Sequence, residues 1–101
     1  MLRIGTIEIA SSCVLAPLAG VSDLPFRLIN RRFGCSFAFT EMVSARALTY
    51  DNKNTLHKML ATDPADRPLG IQLLGNNPEV LRAALDKLRD RECEYAIIDF
   101  N

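Results

Sequence analysis

The sequence predicts an α/β fold with a parallel sheet, on three observations. Short apolar runs recur at Val14–Ala16, Phe37–Glu41, Leu69–Leu74 and Tyr95–Phe100. Helix-period segments separate them, and after the first few residues no strand-turn-strand repeat occurs, so the connections are crossovers rather than hairpins. Small or polar residues stand at or just past the end of each run: Ala19 and Gly20, Glu41, Gln72, then Asp99 and Asn101. That repetition marks an α/β barrel with its chemistry on one rim. The expected architecture is the N-terminal part of a (β/α)8 barrel, with a leading β-hairpin, parallel strands with intervening helices, and truncation after the fourth strand.

Each element has a local reason. Arg3 to Ile9 alternates polar and apolar residues around Gly5, the pattern of a short hairpin that can plug the bottom of a barrel. The first parallel strand, Val14 to Ala16, stops at Pro17. Ser22 or Asp23 then caps a helix that carries Pro25 in its first turn, where a missing N–H costs nothing. Leu24, Leu28, Ile29 and Phe33 recur at helical spacing as its buried stripe, and Gly34 ends it. Arg27, Arg31 and Arg32 fall on the opposite side and read as a solvated face.

The aromatic-rich second strand, Phe37 to Glu41, leads into one or two helical pieces over Ser44 to Ala61, broken near Asp51 and Asn52. Pro64 and Pro68 bracket a loop before the third strand, Leu69 to Leu74. Asn77-Pro78-Glu79 is a helix start with cap, proline and an acidic first turn. Val80, Leu81, Ala84, Leu85 and Leu88 form its buried stripe, and Tyr95 to Phe100 is the fourth strand. In the third strand Ile71 and Leu73 suit the helix side, which turns Gly70 and Gln72 inward. In the fourth, Ile98 and Phe100 suit the helices and Ile97, Asp99 and Asn101 face the axis.

Size and composition bound the function. A complete barrel takes roughly 250 residues, so a chain of 101 residues cannot close one. An apolar share of 49 % is enough for a core. A half-barrel would leave an open strand edge that invites self-association. Twelve basic and twelve acidic residues cancel, which gives no bulk electrostatic case for nucleic-acid binding. Cys13, Cys35 and Cys93 are odd in number and widely spaced, against a disulfide framework or a metal site and in favour of a reducing cytoplasm. No apolar run is long enough to span a membrane, and the N-terminus has no signal-peptide core.

Inward polar groups near the rim are expensive unless something bonds them, so a polar ligand is a sensible occupant. An amide such as Gln72 donates and accepts at once. Gln72 and Asn101 can equally satisfy neighbouring backbone, and the residues alone leave both readings open. Glu41 and Arg46 read either as groups near a substrate or as a Glu–Arg pair that holds the rim loop. Asp23 reads as a helix cap, His57 as part of a solvated face, and Cys13 and Cys35 as small core residues.

Four segments taken together are specific: Leu15-Ala16-Pro17-Leu18-Ala19-Gly20, Thr40-Glu41-Met42-Val43-Ser44-Ala45, Gln72-Leu73-Leu74-Gly75 and Asp99-Phe100-Asn101. In this order the chain, from about Val14 to Asn101, resembles the FMN-dependent tRNA-dihydrouridine synthases. The resemblance implies that residues 1–101 are the N-terminal half of a flavin-binding catalytic barrel. It implies a parent enzyme that reduces the C5=C6 bond of tRNA uridines with FMN and NADPH. On that resemblance Pro17, Leu18, Ala19 and Gln72 contact the cofactor, with Leu18 in place of the more usual methionine. Asn101, Glu41 and Arg46 lie near the substrate, and tRNA is the partner. The family's catalytic cysteine follows in Met-Gly-Cys-Pro, just beyond Asn101, so the 101 residues are expected to be inactive alone. Two other classes stay open: another FMN-dependent barrel oxidoreductase acting on a small molecule, and a non-catalytic truncated remnant.

Overall fold

Local capping chemistry decides where the helices begin and end. In the computed structural model, which describes the backbone of residues 1–101 and all side chains but those at positions 56, 90, 92 and 93, the first helix, α1, runs from Leu24 to Arg32. Asp23 is its N-cap, its carboxylate accepting from the Phe26 N–H at 3.0 Å. Gly34 follows the helix at φ +98°. Its N–H donates to Arg31 O and that of Cys35 to Asn30 O, the paired closure that a left-handed residue allows. Helix α2, Ala45–Thr49, starts at the Ser44 cap. A single π-helical turn, Thr55–Met59, follows across Asp51 at φ +53°, where the break is expected. Helix α3, Pro78–Leu88, starts at Asn77, whose carbonyl accepts from the Glu79 and Val80 N–H groups. A 3-10 segment, Arg89–Glu94, closes that connection.

The strands form two sheets. β1, Leu2–Ile4, and β2, Ile7–Ile9, make the antiparallel hairpin around Gly5. β3, Ala38–Ser44, β4, Leu69–Leu74, and β5, Ile97–Phe100, make a parallel sheet in the order β3-β4-β5. Helices lie between the parallel strands in sequence, as the crossover pattern predicts. The first expected strand shrinks to one bridge, Leu15 to Ala38. Leu15 N–H donates to Phe37 O at 2.9 Å and its carbonyl accepts from Phe39 N–H at 3.4 Å. Pro17 ends the pairing because it has no N–H to extend the ladder.

One face of the sheet is the core. Val43, Leu69, Ile71 and Leu73 are fully buried there, with Ala45 and Leu48 of α2 and Ala84 and Leu88 of α3. Val80, Leu81, Leu85 and Ile98 pack against this cluster, so the α3 stripe and the facing of β4 follow the sequence reading. Phe100 does not, since 55 % of it stays exposed. Its parity places it on the helix side, but the covered part of β5 ends at Ile98. Gly70 is fixed by its neighbour, because a Cβ there would stand 2.5 Å from the Phe39 ring.

The α1 stripe is a clearer correction. Ile29 and Phe33 are 56 % and 87 % exposed, whereas Arg27 is 1 % exposed. Arg27 Nε donates to Asp66 Oδ2 at 2.8 Å, and Arg31 Nε donates to Asp66 Oδ1 at 3.1 Å. Asp66 is fully buried, so α1 turns Arg27 and Arg31 toward the 61–68 loop and leaves two apolar side chains outside, while Arg32 stays exposed as expected. Cys13 is exposed and only Cys35 packs on the core, which corrects half of the cysteine reading; the side chain of Cys93 lies outside the described residues. No helix among the described residues is long and apolar enough to cross a membrane.

Tyr95 closes the bottom of the core. Its hydroxyl donates to Leu60 O at 3.3 Å, and burial, with the nearby Glu94 charge, pushes its pKa from 10.0 up to about 12. The folded state therefore holds the phenol proton more tightly than the unfolded chain. Stability from this group is complete below pH 10 and is lost as pH rises through about 12, on the order of 2 kcal/mol. Tyr95→Phe is expected to flatten that alkaline limb in urea midpoints measured against pH. An unchanged limb in the variant would contradict the assignment.

Candidate functional site

The inner face of the parallel sheet carries polar groups in rows set by register. Met42, Gln72 and Asp99 are neighbours across β3, β4 and β5. Gln72 Nε2 donates to Asp99 Oδ2 at 2.7 Å. An ionised carboxylate only accepts, so this contact orients the amide. Among the described residues this is the one hydrogen bond of the Gln72 side chain. Asn101 joins the row through Nδ2, 3.3 Å from Met42 Sδ, while its own N–H extends the ladder to Leu73 O. The inward facing of Gln72, Asp99 and Asn101 is as parity requires, and the partner of Gln72 is a side chain rather than backbone.

A bulge re-aims the end of β3. Register runs Phe39 to Gly70 but Met42 to Gln72, so β3 holds one extra residue between these pairs. Thr40, fully buried, fills the gap by accepting the Gln72 N–H at 3.4 Å. The bulge turns Glu41 to the loop after the first strand, where Oε1 accepts the Gly20 N–H at 2.6 Å.

That loop, Pro17 to Ser22, is a tight turn. Leu18 O accepts from Val21 N–H at 3.0 Å and Ser22 N–H at 2.9 Å. Ser22 Oγ accepts the Leu18 N–H at 2.8 Å, and Gly20 takes φ +75°, open to glycine at little cost. Leu18 and Val21 leave apolar surface exposed. Glu41 thus ties the turn to the end of β3, while Gln72 and Asn101 lie in the row with Met42.

Arg46 stands apart. It is exposed and lines a cavity of about 200 Å³ with Ser44, Leu74, Asn76 and Asn77 at the start of α3. Among the described residues it makes no ion pair with Glu41, so the expected Glu–Arg pair is replaced by the Glu41–Gly20 contact. His57 is exposed as expected, although it lines a cleft of about 390 Å³ with Asp23, Glu41 and Lys58. Sequence reasoning missed the roles of Asp99, Ser22, Thr40 and the Arg27–Asp66 pair. Only Asp99 had a usable signal, the same inward parity as Gln72.

A three-stranded parallel sheet with helices between its strands defines a protein of the α/β class. The family model described as dihydrouridine synthase matches residues 14–101, and this chain belongs to the dihydrouridine synthase family. It is 35 % identical over 101 residues to a probable tRNA-dihydrouridine synthase of Rickettsia bellii, and 33 % identical over 101 residues to tRNA-dihydrouridine synthase B of Pseudomonas aeruginosa. Each match covers 100 % of this chain and 30 % of the relative. A probable tRNA-dihydrouridine synthase of Helicobacter pylori is 39 % identical over 87 residues, 86 % of this chain and 26 % of the relative. The chain thus spans about 30 % of the length of these relatives. No solved structure gives a significant match.

Proposed function

We propose that this chain forms one wall of the flavin site of a tRNA-dihydrouridine synthase, an FMN-dependent enzyme that uses NADPH to reduce uridines of tRNA in the cytoplasm. The observation that carries the reading is the Gln72–Asp99 contact on the inner face of the sheet. Among the described residues the Gln72 carbonyl and its second N–H have no partner, which suits the mixed donor and acceptor edge of an isoalloxazine ring. Pro17, Leu18 and Ala19 would lie along the ring through main chain and apolar contact. Bound FMN would supply the hydride chemistry that no side chain here offers.

The residues of this chain bind and orient. Gln72 fixes the ring edge, Leu18 and Val21 exclude water from one side, and Asn101 faces the position of the substrate base. A base inside a folded tRNA must leave its stack to reach such a face.

The relatives' names support tRNA over a free pyrimidine. Deleting the gene should remove dihydrouridine from at least one position of cellular tRNA, read by mass spectrometry of digested tRNA. An unchanged dihydrouridine map in the deletion strain would overturn the reading.

A further inference from the structure

The geometry points to Glu41 as a positioning residue that sets the flavin-facing turn, an inference that rests on the function proposed above. Glu41 was open to a role beside the substrate, yet its carboxylate Oε1 is committed to the Gly20 N–H at 2.6 Å. A charge-assisted bond of that length is among the stronger single contacts a loop can make. It is aimed by the β3 bulge, so the tie runs from the sheet rather than from within the turn.

Two further ties hold the same turn from other sides. Ser22, fully buried, accepts the Leu18 N–H through Oγ and lies 3.2 Å from Leu18 O. Arg27, buried in α1, donates to Ser22 O at 2.7 Å, to Ala61 O at 2.9 Å and to Asp66. Together these contacts engage the N–H groups of Leu18, Gly20, Val21 and Ser22 within the protein. Pro17 has none to give. Among the described residues, the Ala19 N–H is the amide of the turn without a hydrogen-bond partner, and it is the one the flavin would meet.

Glu41 therefore acts through the turn rather than on the substrate. Without it, the Gly20 amide loses its partner and the glycine is free to rotate, which blurs the direction of the neighbouring Ala19 amide. Of the three ties, Glu41 is the half-buried one at the rim, so it can be changed without opening the core.

The test uses the full-length protein that carries these residues and titrates FMN into flavin-free samples of wild type, Glu41→Ala and Glu41→Gln. Glutamine keeps a carbonyl acceptor at the same reach. Glu41→Ala is expected to weaken FMN binding by about tenfold. Glu41→Gln should restore most of it, and the flavin absorption band should shift in the alanine variant alone. Thermal midpoints identify a variant that has merely lost its fold, and in that case Glu41→Gln against wild type carries the comparison. If wild type binds FMN and Glu41→Ala binds it equally well with an unchanged spectrum, the positioning role is overturned. Loss of binding in both variants alike also overturns it, because the acceptor would then not be what matters. Wild type that takes up no FMN overturns the flavin reading itself, and the inference falls with it.

Discussion

Replacing Asp66 by alanine is expected to destabilise the fold by about 3–5 kcal/mol, the range for breaking a buried ion pair by removing one partner. Asp66 is fully buried and receives both Arg27 and Arg31, whose side chains are 1 % and 8 % exposed. Without the carboxylate two guanidinium groups stay inside with no counter-charge. Their remaining partners are main-chain carbonyls of Ser22, Ala61, Arg67 and Pro68, which bond the N–H groups but cannot neutralise them. Asp66→Asn should be milder, since its amide still accepts from one arginine. Urea unfolding of the full-length protein checks both variants. A loss below about 1 kcal/mol for the alanine variant, the range of an exposed pair, would show that water already reaches the site.

The second large effect is expected at Gln72. Gln72→Ala removes the amide offered to the ring edge and leaves the Asp99 carboxylate without the partner it has at 2.7 Å. FMN affinity of the full-length protein should fall by about thirtyfold, or about 2 kcal/mol, the scale of a bond to a charged group. Asp99→Asn keeps Gln72 hydrogen-bonded without the charge and should cost less. Equilibrium titration of flavin fluorescence measures all three proteins. Equal affinity in wild type and Gln72→Ala would move the ring away from β4.

What the sequence revealed was local. Asp23, Gly34, Asn77 and the break near Asp51 act over three or four residues, and each stands where its side chain or backbone preference puts it. Strand parity was legible for the same reason, and Gln72, Asp99 and Asn101 share the inner face. The partners were not legible. Gln72 and Asp99 lie 27 positions apart, and which inward residues meet depends on register, which alternation does not encode.

Two failures have the same origin. Arg27 and Arg31 of α1 read as a solvated face because their counter-charge lies 39 and 35 residues away, in a loop of polar residues and prolines. Glu41 read as a partner of nearby Arg46, five residues on, because nothing in Thr40-Glu41-Met42 announces a bulge. The bulge sends the carboxylate 21 residues back, to Gly20. In each case the partner lies far along the chain, where local spacing carries no sign of it.

In the proposed function this inner face holds a flavin that reduces uridines of tRNA. The most direct measurement is dihydrouridine formed on an unmodified tRNA transcript by the full-length protein supplied with FMN and NADPH, beside the same reaction on free uridine. The account predicts product on the transcript, none on the free nucleoside, and none when FMN is withheld. Turnover of the free nucleoside, or product that does not depend on FMN, would contradict it.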